Sequence, residues 1–202
     1  MPITLPILQQ IVQSFQHTVT SAYQSKLLSA TCSIAFFAFL RIGEITVNST
    51  DQSNLIKVNQ LHRLVGSHQH VKALQLTFIN YKHSDSGRPF VVYISPESKY
   101  CPVERILEYL SARGPISGLL FCWPNGAPIK RSFFVEKLNV SLKFCNLYPS
   151  LYKSHSFCIG VASWASAKGF SDSQIRQLGR WRSNAFVHYI RTPCLSTSLN
   201  HS

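Results

Sequence analysis

The sequence predicts an α+β chain, mostly helical, with a small antiparallel β-sheet or hairpin set among the helices. Three observations carry this. Apolar residues recur at helical spacing over 7–17, 20–40, 102–113 and 131–146. Strict alternation is confined to 72–80, through Leu74, Leu76 and Phe78, with a second short β-branched and aromatic run at 90–94. No repeat of 20–50 residues runs along the chain, which excludes a solenoid.

Taken in order, 7–17 (ILQQIVQSFQH) and 20–40 open an α-rich half. Within it, 27–40 (LLSATCSIAFFAFL) is the longest apolar run, flanked by Lys26 and Arg41. Fourteen helical residues rise about 21 Å, short of a hydrocarbon core of roughly 30 Å, so this is a buried helix and no membrane span. It starts too far from Met1 for a secretory signal, and no basic stretch precedes it. Between 45 and 60 the pattern loosens, with Asn48, Ser49, Asp51 and Ser53 as turn formers. These two runs are joined by YKHSDSGRP at 81–89, rich in turn residues, which predicts a β-hairpin or a small antiparallel sheet. Pro102 suits the first position of a helix that Gly114 stops. Ser154 is the expected N-cap of a helix over 155–168, ended by Gly169, and Ser171 with Gln174 forms a capping-box pattern for the next one. No linker composition interrupts the chain, so one domain is expected over 1–193, with 194–202 a short tail.

Charge is sparse and one-sided. Twenty Lys+Arg oppose 8 Asp+Glu, a formal net charge of +12, and hydrophobic residues reach 45%. A disordered basic tail is excluded, because such segments are too polar to offset chain entropy. Within the last fifty residues, Lys153, Lys168, Arg176, Arg180, Arg182 and Arg191 face Asp172 alone. A polyanion partner is expected, nucleic acid or an anionic membrane surface. The six cysteines show no C-x-x-C spacing and no dense framework, which suits a reducing intracellular compartment. His155 and Cys158 share a helical face, and His68 and His70 form another close pair. Neither belongs to a four-ligand zinc spacing, so no metal is expected. The chain also lacks a P-loop, a G-x-G-x-x-G and a G-x-S-x-G.

Two motifs make chemical sense together: RIGE at 41–44, and HSFC at 155–158 followed by LGRWRSNAFVHYIR at 178–191. Displacement at a phosphodiester needs a nucleophile, charge stabilisation at the non-bridging oxygens and an acid for the leaving oxygen. With Lys82 in the hairpin between them, these motifs resemble the catalytic set of the tyrosine recombinases, the phage-integrase family. The C-terminal block is most similar to recombinases of eukaryotic mobile elements, the Crypton and DIRS-like groups. The resemblance runs from PIT at 2–4 to about Pro193.

What the resemblance implies is a tyrosine-recombinase catalytic domain that breaks and rejoins DNA without metal or other cofactor. It implies Tyr189 as the nucleophile that forms a 3′-phosphotyrosine, and Arg41 as the first phosphate-binding arginine. It further implies Glu44 as an orienting carboxylate, Lys82 as general acid and His155 as the histidine that assists proton transfer. In the family's H-x-x-R pair the second residue is an arginine, but here it is Cys158, which supplies no fixed charge and no fork. Losing one such stabiliser costs about 10²–10³ in rate, so impaired cleavage is expected. Nine positions before Tyr189 stands Arg180 and eight before it Trp181, and either could fill the family's His/Trp position.

The resemblance also implies duplex DNA as partner, a homo-oligomer on DNA and a nuclear location. Only 40 residues precede RIGE, too few for the family's separate core-binding domain, which is expected to be absent. A non-catalytic DNA-binding module derived from a mobile-element recombinase, or a protein-interaction domain, is the alternative reading.

Overall fold

The computed structural model describes residues 1–48, 52–67, 70–79, 89–98, 100–153, 155–182 and 186–187. Six α-helices and a three-stranded sheet make up the described part. Helix α1 (Leu5–Thr18) buries Leu8, Ile11, Val12 and Phe15, an i, i+3, i+4, i+7 stripe, against helix α2 (Ala22–Phe37). Ser21 caps α2 by accepting the Gln24 N–H at 3.1 Å.

From Leu27 to Phe37 every residue of α2 is buried, because α1, helix α3 (Pro102–Arg113) and helix α5 (Ser156–Ala167) pack around it. A helix apolar all round is stable only in such a position. The helix ends at Phe37 rather than at 40. Phe39 adopts a left-handed φ of 54°, and the chain leaves as an irregular segment into a 3-10 turn, Ile42–Glu44.

Strand β1 (Leu61–Val65) pairs antiparallel with β2 (Val71–Phe78), which pairs antiparallel with β3 (Phe90–Ile94). Leu74, Leu76, Phe78, Val92 and Ile94 form the buried face, while Tyr93 is exposed on the other. The sequence announced β2 and β3 but not β1. LHRLV lies at the sheet edge with four of its five residues exposed, so it lacks the alternation that burial of one face imposes.

Helix α3 (Pro102–Arg113) begins on its proline and ends at Gly114, whose φ of +71° suits glycine. Buried Arg113 donates to the carbonyls of Gly114 and Leu119, which shapes the following loop. Tyr109 is fully buried, accepts the Cys122 N–H at 3.1 Å and donates to the Leu120 carbonyl at 3.0 Å.

Helices α4 (Arg131–Phe144), α5 (Ser156–Ala167) and α6 (Asp172–Gly179) complete the fold. Ser171 and Gln174 form the expected capping box. The N-cap of α5 is His155, one residue later than expected; Ser154 lies outside the described residues. The first residues of the chain strap α5 down. The Met1 amino group donates to the Leu151 carbonyl, Ile3 N–H to Ser156 O at 3.0 Å, and the Ile3 side chain is fully buried. Gly160 permits this approach, because a Cβ there would lie 1.8 Å from Ile3 O. No described helix is long and apolar enough to cross a membrane.

Candidate functional site

The segment after α2 carries Arg41 and Glu44. Arg41 is extended (φ −78°, ψ 142°) at the entry of the 3-10 turn, and Glu44 is the turn's last residue. This geometry folds the carboxylate back so that Glu44 Oε2 accepts the Arg41 backbone N–H at 2.7 Å. A carboxylate at the start of a helical turn finds unpaired N–H groups there, which is the local reason for the pairing.

The far end of the chain supplies the counter-charge. Arg180 follows the last turn of α6 in a left-handed conformation, φ 53° and ψ 43°, where glycine is the usual occupant. The turn directs its side chain inward, leaving it 1% exposed. Its Nη2 donates to Glu44 Oε2 at 2.9 Å, to Glu44 Oε1 at 3.1 Å and to the Phe39 carbonyl at 3.3 Å. Its Nη1 donates to Leu178 O at 3.3 Å, and the guanidinium lies 3.9 Å over the Phe78 ring. Burial lowers the Arg180 pKa and the Glu44 carboxylate opposes that shift; a guanidinium is a cation throughout the physiological range.

Arg41 closes the circuit. Its Nη2 donates to the Arg180 carbonyl at 3.2 Å, while its Nη1 stays 3.9 Å from Glu44 Oε1. Its side chain is 32% exposed, against 12% for that of Glu44. Two arginines and one glutamate therefore leave a net positive cluster whose solvent-facing member is Arg41.

Cys158, in the first turn of α5, is buried beside this cluster. Burial pushes its thiol up to about 11; Arg41 and Arg180 oppose the shift, and Glu44 reinforces it. The thiol is neutral at physiological pH and adds no charge. His155 is exposed at the N-terminus of the same helix.

Trp181 is partly buried, 6.2 Å from the ring of Phe39 and 5.1 Å from that of Phe186. It lies so close over Gly179 that a Cβ there would meet its indole at 2.5 Å. Phe90, Ser173, Arg176, Gln177, Arg180, Trp181 and Arg182 line an open hollow of about 420 Å³ beside it, with Arg176 and Arg182 exposed on its rim. A smaller hollow of about 170 Å³ abuts Glu44 and Phe78 and is lined by Asn54, Lys57 and Gln60.

Of the residues singled out from the sequence, the fold gathers Arg41, Glu44, Cys158 and Arg180 at one place, with His155 and Trp181 on the same two helical segments. Lys82 and Tyr189 lie outside the described residues. Two contributors had no sequence signal of their own. Phe78 reads as an ordinary inward strand residue, and Phe39 as the end of an apolar helix. Among the described residues, no group of three His, Cys, Asp or Glu is placed to hold a metal ion.

No protein-family model matches the chain, and no curated protein does. Solved structures do. The chain is similar to the XerH site-specific recombinase bound to its difH substrate, with a TM-score of 0.69 at 14% identity over 95% of this chain and 50% of that one. It is similar to the XerA recombinase, with a TM-score of 0.63 at 13% identity over 95% and 59%. It is also similar to a lambda integrase dimer bound to a core site, with a TM-score of 0.61 at 12% identity over 94% and 47%. The chain thus spans about half the length of the first of these structures. Its fold is that of the tyrosine recombinase catalytic domain, a helical body with a small antiparallel sheet.

Proposed function

We propose that the chain is a tyrosine recombinase-like catalytic domain that binds duplex DNA and whose strand cleavage is weakened by Cys158. One observation carries the reading. Arg41, Glu44, Cys158 and Arg180 come from three distant parts of the sequence and meet in a positive cluster, within a fold shared with recombinases. Exposed Arg176 and Arg182, on the hollow beside it, support contact with a phosphate backbone.

In the proposed reaction the Tyr189 phenol oxygen attacks the scissile phosphorus and passes its proton to His155, while Arg41 stabilises the charge on the non-bridging oxygens. The bond from phosphorus to the 5′ oxygen breaks, and Lys82 protonates the departing 5′-hydroxyl. A 3′-phosphotyrosine remains; attack on it by a 5′-hydroxyl, which gives its proton back to Lys82, breaks the bond from phosphorus to Tyr189, returns a proton to the phenol and restores the phosphodiester. For the family's His/Trp position we favour Trp181 over Arg180, a choice supported by the partly buried Trp181 and by the inward-turned Arg180 side chain. The expected setting is nuclear, in a chain derived from a mobile element, acting as a homo-oligomer on DNA.

Cys158 favours a second reading, a DNA-binding module that has lost cleavage, since a buried neutral thiol stabilises no charge in the transition state. A nicked suicide duplex separates the two when incubated with the natural protein, Cys158→Arg and Tyr189→Phe. A covalent adduct with the natural protein that Tyr189→Phe abolishes establishes cleavage. An adduct only with Cys158→Arg establishes an impaired site. No adduct, together with salt-sensitive duplex binding, leaves the DNA-binding module. Affinity that hardly changes between low and moderate salt refutes phosphate contact altogether.

A further inference from the structure

We propose that Arg180 is a positioning residue: it neutralises Glu44 and thereby keeps the Arg41 guanidinium available to a phosphate. The inference rests on the DNA-binding reading above and adds the residue that sustains it.

Arg180 is built to face inward. Its side chain is 1% exposed, and the Phe78 ring covers one face of its guanidinium. Its Nη2 is shared among both Glu44 oxygens and the Phe39 carbonyl, while its Nε is buried without a partner. That placement serves Glu44 better than it serves Arg180. The backbone bears a cost for it as well. Phe39 and Arg180 are two of the three non-glycine residues with left-handed φ among those described, and they are joined to each other by a hydrogen bond. Strained residues persist where surrounding contacts over-determine them, commonly at functional sites.

Glu44 is the reason a counter-charge is needed. Its carboxylate is 12% exposed, and it already takes the Arg41 backbone N–H. Cys158, the other polar neighbour, is a neutral thiol and cannot balance it. Without the Arg180 charge, the nearest cation is Arg41 Nη1, 3.9 Å from Glu44 Oε1. A largely desolvated, uncompensated carboxylate would draw that guanidinium in, because such a charge gains most from the closest partner. The cluster's solvent-facing cation would then be lost to an internal ion pair. Arg180 prevents this collapse from one side with its guanidinium, and from the other with its carbonyl, which holds Arg41 Nη2 at 3.2 Å.

The test is the salt dependence of binding to a fluorescein-labelled duplex, read by anisotropy, for the natural protein, Arg41→Met, Arg180→Met and the pair Glu44→Gln with Arg180→Met. Each phosphate contact contributes about 0.9 to the slope of log affinity against log salt. Arg41→Met and Arg180→Met should each flatten the slope by about 0.9. The double variant should return to the natural slope, since it removes the carboxylate that captures Arg41. A double variant still one contact short makes Arg180 a direct phosphate ligand and overturns the proposal, as does an Arg180→Met protein with the natural slope. Should Arg180→Met fail to fold, Arg180→Gln takes its place as the charge-removing variant, and a double variant one contact short still overturns the proposal, because its neutral pair leaves no charge unpaired. A flat slope in the natural protein overturns the DNA-binding reading and this inference with it. A natural slope with a deficient double variant overturns the inference only.

Discussion

Replacing Gly160 by alanine tests how tightly the start of the chain is bound to α5, the helix that carries Cys158 and begins at His155. In an isolated helix the change is favourable, because alanine exceeds glycine in helix propensity by about 1 kcal/mol. The structure reverses the sign. A Cβ at position 160 would lie 1.8 Å from Ile3 O and 2.7 Å from its carbonyl carbon, and both are backbone atoms that cannot rotate away.

Two responses are open to the fold. If the strap stays in place, the helix must shift, and overpacking of this kind costs about 1–3 kcal/mol. If the strap lifts, the fully buried Ile3 side chain returns to water at about 1.5–3 kcal/mol. The Ile3 N–H to Ser156 O bond of 3.0 Å goes with it, at about 0.5–1.5 kcal/mol. After the propensity gain of about 1 kcal/mol, the first route leaves Gly160→Ala less stable by up to about 2 kcal/mol and the second by about 1–3.5 kcal/mol.

Urea unfolding followed by circular dichroism measures this as a lower midpoint at unchanged slope. Deleting residues 1–4 in both backgrounds supplies the control. The truncated pair should reverse order, with the alanine form more stable by the propensity difference. A full-length Gly160→Ala protein as stable as the natural one, or more so, would refute the packing of the strap on α5.

Two further outcomes follow from the buried groups. The Cys158 thiol is held protonated up to about 11, whereas in the unfolded chain it ionises near 9. Between these values the folded state binds more protons, so its stability falls as pH rises, by up to about 2–3 kcal/mol from this group. Cys32, Tyr100 and Tyr109, whose pKa values burial also raises, act in the same direction in every variant. The difference between the natural protein and Cys158→Ala therefore isolates the one thiol, and superimposable stability–pH curves from pH 8 to about 11 would rule the placement out. Tyr109→Phe leaves the Cys122 N–H, now 3.1 Å from the phenol oxygen, without its acceptor in the core. A loss of about 1–3 kcal/mol is expected in urea unfolding, and an unchanged midpoint would show that this hydroxyl is dispensable.

Much of the helical scaffold is written in short-range pattern. The i, i+3, i+4 stripe of α1, the Pro102 start and Gly114 stop of α3, and the Ser171–Gln174 box of α6 all depend on neighbours within one or two turns. The alternation of β2 and β3 is equally local. Strand β1 carries no such signal, because an edge strand with little to bury has no reason to alternate. The hydroxyl of Ser154 suits a helix cap, yet His155 takes that position on α5 with no side-chain cap bond.

The residues of the candidate site were legible by type and order, since Arg41, Glu44, His155, Cys158, Arg180 and Trp181 stand in motifs. The direction in which each side chain points was not. Arg180 sits 136 positions from the carboxylate it neutralises, and no window along the chain contains both. Its inward turn is decided by a left-handed backbone at the end of α6, by the Phe78 ring from the sheet, and by the largely buried Glu44 carboxylate. Local sequence thus determined the elements and the chemical vocabulary of this protein. Tertiary structure alone decided which cation serves the protein interior and which faces solvent, because desolvation and counter-charge exist only once distant segments have been packed together.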